Sequence, residues 1–448
     1  MHTKSSAQGR EQRAENTDFS GCILIALVCF LLSVSCVLSD VFAEDLKLQD
    51  LIDEALKNNH DLILSELKVS TSKYKIPQVQ SFPDPMFMFG YQNEGWNRYT
   101  YGDMQGAQWM FSASQMFPFP GKRSLKGEMA SKDTESLKAL ADYARISIIV
   151  RVKELYYDLF LIHKNMDLIK DKGLLFSRIE DASIARYSSG MGQQQEVLMA
   201  QTEKYMLLEK EEMLRQKQQS IEAMLNTAVG RDVNLPLGRP VEPVYTSYKK
   251  SMGDIIKMAY ENSPQVKSKE KMIAGAEAKV RMAEKEYYPD FTLAGSVFKR
   301  RGEFEDMWSL TTTINIPLFY RTKQKMAVLE AESALSEVQH ELDATKFMLA
   351  SGIRENYSMV RTSERLMELY IESLIPKTYQ DFEAALSGYT TGKIEAITVI
   401  SRLKSLIDYD ALYWGQFVER EKAIARFEAL TGASGQLSAI SGQGEDKK

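Results

Sequence analysis

The sequence predicts a mainly α-helical chain with a membrane β-barrel portion, built from long α-helical hairpins and four β-strands per chain. Three observations lead there. One plan of residues occurs twice at a nearly constant offset. A short region in each copy alternates with period two, and a much longer region after it carries helical periodicity.

The duplication rests on ordered pairs. LIDEALKNNHDL from Leu51 parallels IIKMAYENSPQV from Ile255 at an offset of 204, aligning Ala55 with Ala259 and Asn58 with Asn262. Pro83-Asp84 parallels Pro289-Asp290, Pro118 parallels Pro317, and Lys153-Glu154-Leu155-Tyr156 parallels Arg354-Glu355-Asn356-Tyr357. Tyr187-Ser188-Ser189-Gly190 parallels Tyr389-Thr390-Thr391-Gly392, and LNTAVG ending at Gly230 parallels FEALTG ending at Gly432. So long a period excludes a solenoid of small repeats. The expected layout is a first repeat over 44–246 (helix, strands within 85–118, helical hairpin 122–229) and a second over 247–432 (helix, strands within 290–317, helical hairpin 321–430). The first helical stretches are expected over roughly 46–80 and 252–287.

The chain has 448 residues, with 56 Lys+Arg against 61 Asp+Glu and a net charge of −5. This weakly acidic balance points away from nucleic acid as a partner. A charged fraction of 26% excludes a bundle of membrane-spanning helices. One uncharged apolar stretch exists, from Phe19 to Ser39, behind Lys4, Arg10 and Arg13 and ahead of Val41-Phe42-Ala43. It reads as a secretory signal over 1–43, with a retained membrane anchor as the alternative. All three cysteines, Cys22, Cys29 and Cys36, fall inside it. Cleavage after Ala43 therefore leaves no thiol for disulfides, thiolate metal sites or nucleophilic catalysis. Lipidation at Cys36 is disfavoured because Ser33 stands where a lipobox has Leu. Residues 433–448, rich in Gly, Ser and charge, read as a disordered tail.

In the first copy Phe87, Phe89 and Tyr91 alternate with Met86, Met88 and Gly90, and Trp109, Phe111, Ala113 and Phe117 with Gln108, Met110, Ser112 and Ser114. In the second, Phe291, Leu293 and Val297 oppose Thr292, Ala294 and Ser296, while Trp308, Leu310, Ile314 and Ile316 oppose Ser309, Thr311, Thr313 and Asn315. Four strands of about ten residues with one apolar face match transmembrane β-strands. Hairpins on a soluble core would alternate in the same way. The membrane reading is favoured by Tyr91, Trp96, Tyr99, Tyr101, Trp109 and Trp308, which sit toward the loop ends where an interfacial aromatic belt would lie. Four strands cannot close a barrel, and unpaired edges are not tolerated in lipid. Three chains supply twelve strands, whereas two would supply eight and leave an interior filled by side chains.

The stretches from about Lys122 to Tyr187 and Arg321 to Tyr389 could each reach about 100 Å if continuous. Ile148, Val152, Leu155, Leu159 and Ile162 recur at helical spacing. Gly173 and Pro376 are expected bends. Each long helix ends at a Tyr-x-x-Gly element, whose glycine suits a C-terminal cap and tight reversal.

The duplicated plan, the strand pairs after Pro-Asp, the proline-marked strand exits and the paired Tyr-x-x-Gly turns together resemble the TolC family of outer-membrane efflux channels, over about Leu46 to Gly432. The stretch from Ser114 through Pro118, Pro120, Gly121 and Lys122 to Arg123 resembles the strand-to-helix junction of the heavy-metal efflux branch. The resemblance implies a homotrimer with a 12-stranded barrel in the outer membrane of a Gram-negative bacterium and a helical tunnel through the periplasm. It implies as partners outer-membrane lipid, a periplasmic adaptor and an inner-membrane pump of the resistance-nodulation-division or ABC type. The adaptor-docking tips it implies are Ser189, Gly190 and Met191, and Thr391, Gly392 and Lys393, although a glycine at a helix reversal is also expected on backbone grounds. The family archetype narrows its tip with acidic residues where this chain has Thr398 and Ser401. Glu196 matches an acidic gate position, but Ile394 replaces the basic residue it would pair with. Glu196 is a pore-facing residue or a solvated helix-face carboxylate.

No enzyme is expected, and no metal or other cofactor. His60, His163 and His340 stand far apart, and neither a phosphate-binding glycine loop nor a nucleophile elbow is present. Met86, Met88, Met104, Met110 and Met116 are of the kind that soft metals take, but methionines in apolar strands are expected to serve packing. The function expected is a passive exit duct in a tripartite efflux or type I secretion system. The alternative is a periplasmic adaptor or structural coiled-coil hairpin protein without a pore.

Overall fold

The computed structural model describes residues 45–432; the expected signal, all three cysteines and the expected tail lie outside the described residues. Two units are present. In the smaller, the Leu46 N–H donates to the Arg239 carbonyl at 2.8 Å. The larger holds every described helix and strand.

Each copy opens with two helices where the sequence pattern predicts one stretch. In the first they are α1 (Leu48–Asn58) and α2 (His60–Gln80). Asn59 has extended backbone and its side chain accepts from the Asp61 and Leu62 N–H groups, so it caps α2 and interrupts the run. In the second copy α5 (Met252–Asn262) and α6 (Pro264–Lys285) are separated by Ser263. Pro264 has no N–H to continue α5 but fits the first turn of α6.

The strands are β1 (Met86–Gln92), β2 (Gln108–Phe117), β3 (Asp290–Lys299) and β4 (Met307–Asn315). They form one antiparallel sheet in the order β1-β2-β3-β4. β1 is shorter than the expected ten residues, with seven. The pairing of β2 with β3 joins the two copies in a single sheet.

After β2 comes α3 (Lys122–Ser188), an unbroken helix of 67 residues in which Gly173 makes no interruption. The helix α4 (Gln194–Val229) returns from it. In the second copy α7 (Gln324–Leu369), a π-helical turn (Tyr370–Leu374) and α8 (Ile375–Thr390) occupy the place of α3, and α9 (Ala396–Thr431) returns. The π turn has a local cause. Pro376 offers no N–H to the Glu372 carbonyl and crowds it, and the ladder widens so that the Ile375 N–H reaches the Tyr370 carbonyl.

The repeats are not equivalent in packing. α9 lies against α3, α5, α7 and α8 and contributes to apolar clusters along its length, including Val399, Leu403 and Ile407 near the tips and Ala423, Ile424 and Phe427 farther along. Its counterpart α4 packs mainly on α3 and leaves Tyr205, Leu208 and Met213 exposed. The two copies are therefore interleaved within one body. Among the described residues, no helix is long and apolar enough to cross a membrane.

Candidate functional site: the strand wall, the helix tips and a buried charge ladder

The register puts most of the large apolar residues of the four strands on one face, with the methionines and Phe298 on the other. Phe89 pairs with Phe111, Phe111 with Val297 and Val297 with Trp308; one step along, Phe87, Ala113, Gly295 and Leu310 form the next row. These side chains have no cover within the chain: Phe87 is 81% and Trp308 79% exposed. The opposite face carries Met88, Ser112, Ser296 and Ser309 in one row, with the Ser296 hydroxyl donating to Ser112 at 2.9 Å.

The expected aromatic belt divides. Tyr91, Tyr99, Tyr101 and Trp109 cluster at the β1–β2 loop, with Tyr91 4.9 Å from Trp109 and 5.1 Å from Tyr99 between ring centres. The loop is shaped by Asn93, whose side chain accepts from the Thr100 N–H and the Tyr91 hydroxyl and donates to the Gly95 and Arg98 carbonyls. Trp96 lies fully exposed on that loop, and Trp308 stands on the edge strand β4.

At the sheet's exit the Gly121-Lys122 junction is built around a buried cation. Lys122 is 3% exposed, and its Nζ donates to Asp290 at 3.0 Å, to the Tyr288 carbonyl at 3.1 Å and to Glu286 at 3.3 Å. Asp290 also accepts from the Phe119 N–H at 2.7 Å. The first residue of β3 is thereby tied to the chain leaving β2. Phe119 stacks on Tyr288 with ring centres 4.5 Å apart, and Arg123 lies over Phe82 at 3.4 Å.

The two tips share one backbone solution. Gly190 and Gly392 have φ of 72° and 77°, a left-handed conformation open to glycine. The Met191 N–H reaches back to the Arg186 carbonyl, and the Lys393 N–H to the Gly388 carbonyl, each at 2.9 Å. Ser189, Gly190 and Met191 are exposed, as are Thr391, Gly392 and Lys393. Ser401 is exposed on α9 and Thr398 half-buried one turn before it.

Glu196 has partners inside the chain. The Tyr389 hydroxyl donates to its carboxylate at 3.1 Å and lies 2.9 Å from the buried Ser183 hydroxyl. The cation absent at Ile394 comes from the first tip: Arg186 Nε stands 3.8 Å from Glu196, while its guanidinium donates to the Tyr389 carbonyl at 2.7 Å and the Met191 carbonyl at 3.1 Å. Burial raises the Tyr389 hydroxyl above its usual pKa, so it stays a donor throughout the ordinary pH range. Arg186 carried no spacing signal, because it meets Glu196 only when the chain reverses.

A ladder of charges fixes α9 against α3. Lys153 meets Glu428 at 2.5 Å, Glu154 meets Arg426 at 2.7 Å, Asp158 meets Lys422 at 2.5 Å, and Lys172 meets Asp410 at 3.1 Å. Beside it, Arg420 is fully buried. Its guanidinium donates to Glu421 at 2.5 Å, to Glu364 of α7 at 3.0 Å and to the Thr246 carbonyl at 2.7 Å, and lies over the Tyr245 ring at 3.8 Å. Burial pushes the Glu421 carboxyl above the usual carboxylate range, and its Oε2 has no hydrogen-bond partner. Sequence reasoning missed this centre because α7, α9 and the segment before α5 supply it together. Among the described residues no cluster of three His, Asp or Glu side chains is arranged to hold a metal ion.

The comparisons agree with this architecture. Residues 255–401 match the family model described as outer membrane efflux protein. The chain is similar to the cobalt-zinc-cadmium resistance protein CzcC of Cupriavidus metallidurans, 20% identical over 319 residues, covering 70% of this chain and 74% of that one. Among solved structures, the outer membrane protein VceC of Vibrio cholerae has a TM-score of 0.73 at 16% identity, covering 86% of this chain and 96% of its own. The Campylobacter jejuni CmeC outer membrane channel also scores 0.73, at 14% identity, covering 86% and 85%. With the duplicated helical plan and the single amphipathic sheet, these matches show the fold of the outer membrane efflux channels, and residues 255–401 carry the match to the outer membrane efflux protein family.

Proposed function

We propose that three copies of this chain close a 12-stranded barrel and form a passive exit duct through the outer membrane and periplasm. The observation that carries the reading is the open sheet. β1 and β4 end it without neighbours among the described residues, and one face is predominantly apolar, with Phe87, Phe89, Leu310 and Trp308 exposed. In lipid those edges require partners, and β4 of one copy against β1 of the next supplies them in a ring. Native mass spectrometry of detergent-extracted protein from the outer-membrane fraction tests this: a trimer is expected, and a soluble monomer would instead support a periplasmic hairpin protein.

The same reading makes the tips the docking surface for a periplasmic adaptor, with an inner-membrane pump of the resistance-nodulation-division or ABC type behind it. Ser189, Gly190, Met191, Thr391, Gly392 and Lys393 would meet the adaptor. Glu196, Thr398 and Ser401 would bear on the narrow end of the duct, Glu196 through its hold on Tyr389. The two copies would descend from a tandem duplication over 44–246 and 247–432.

Met191 separates docking from turn geometry, since its side chain is 74% exposed. Met191→Asp is expected to leave unfolding temperature within about 1 °C, as surface changes move stability by only a few tenths of a kcal/mol. It should reduce co-purification with the adaptor at least tenfold; unchanged recovery would remove Met191 from the docking surface.

A further inference from the structure

All five methionines in the strands, Met86, Met88, Met110, Met116 and Met307, fall on the hydroxyl-rich face of the sheet. The apolar face carries Phe, Trp, Tyr, Leu, Ile and Val and no methionine. Phe298, paired with both Met110 and Met307, is the one aromatic side chain among the methionines; the other neighbours on their face are mostly small or polar.

The register sets four of them in a line. Met86 and Met88 are two residues apart on β1, about 6.8 Å between Cα atoms. Met88 pairs with Ser112, so Met110 is its diagonal neighbour, and Met86 pairs with Ser114, so Met116 is its diagonal neighbour. Diagonal neighbours lie about 7–8 Å apart, within reach of flexible side chains. Around them stand Gly90, Ser112 and Ser114, with Phe298 across from Met110, and a Cβ at Gly90 would come within 3.3 Å of the Met110 methyl. The carboxylate on this face, Asp290, is engaged by Lys122 and the Phe119 N–H. Met307 stands apart, with the Arg300 guanidinium on its sulfur.

Neutral thioethers without free carboxylates suit a soft monovalent cation and poorly suit a hard divalent one. We propose that Met86, Met88 and Met110, continued by Met116, form a thioether track that binds soft monovalent cations, of the Cu(I) and Ag(I) class, along the wall of the duct. Its place in the lumen rests on the shared-barrel reading, in which the apolar face turns to lipid; the thioether grouping belongs to the single chain.

The test titrates the detergent-purified protein with Ag⁺ by calorimetry and reads sulfur ligation by Ag-edge X-ray absorption. The described residues contain no cysteine, so sulfur scattering there reports methionine. The wild type is expected to show Ag–S scattering. M86L/M88L/M110L should weaken binding at least tenfold and lose that signal, while M104L, changed in the β1–β2 loop, retains both. Leucine keeps the apolar bulk, and native mass spectrometry of each sample reports assembly separately. Absence of Ag⁺ binding by the wild type, or equal binding by the triple variant, overturns the proposal. Thioether-bound Ag⁺ on a monomer would uphold the site and overturn the barrel.

Discussion

Arg420→Met lowers the stability of the purified protein by about 3–5 kcal/mol, the cost of removing one partner from a buried ion pair. Methionine preserves much of the volume but leaves Glu421, 1% exposed, with no counter-charge, and removes the donor to Glu364 and the Thr246 carbonyl. The pH dependence separates charge from packing. Burial raises the folded-state pKa of Glu421 above its unfolded value, so proton uptake favours the folded state. The stability associated with its neutral form is complete below the unfolded pKa and is lost as pH rises through the folded one. Without Arg420 the ionised carboxylate keeps the Thr246 N–H but loses its counter-charge, and the deficit relative to wild type is expected to be larger at pH 8 than at pH 5. Unfolding followed by circular dichroism at the two pH values measures this. A deficit identical at both would assign the loss to packing.

The second large effect is expected at Lys122. Lys122→Met removes the cation that joins Asp290 to the start of α3, at an expected cost of about 3 kcal/mol. The cost lies at the low end of the range for buried pairs because Glu286 is 45% exposed and screened by water, whereas Asp290 is 17% exposed. Asp290 opens β3, and its tie to the chain leaving β2 helps hold the β2–β3 pairing that makes one sheet of two hairpins. Heat-modifiable migration on gels, read beside thermal unfolding, should show assembly lost at a lower temperature. Wild-type behaviour in both would make the junction's charge dispensable. Asp290→Asn should be milder, since its amide oxygen still accepts from the Phe119 N–H.

Much of the architecture was legible in the chain because its signals are local. Period-two alternation at Phe87, Phe89 and Tyr91 specifies a strand with one apolar face, and it did so correctly for all four strands. Tyr187-to-Gly190 and Tyr389-to-Gly392 mark reversals because a left-handed residue after a helix calls for glycine. Interruptions by single residues were less legible. Asn59 and Ser263 end helices within otherwise periodic runs, and Gly173, a weak helix former, is carried through by the packing of α3 against its neighbours.

The sequence alone determined the duplicated plan, the mainly α-helical class, the four amphipathic strands and the positions of the two tips, all of which follow from periodicity and backbone conformation within a short window. Tertiary structure decided the rest. It paired β2 with β3 across more than 170 residues, gathered the strand methionines on one face, gave α9 an interior place that its counterpart α4 lacks, and brought Arg186 to Glu196 and Arg420 to Glu364. These contacts join segments whose separation in sequence carries no period, so their geometry exists only once the two repeats interleave.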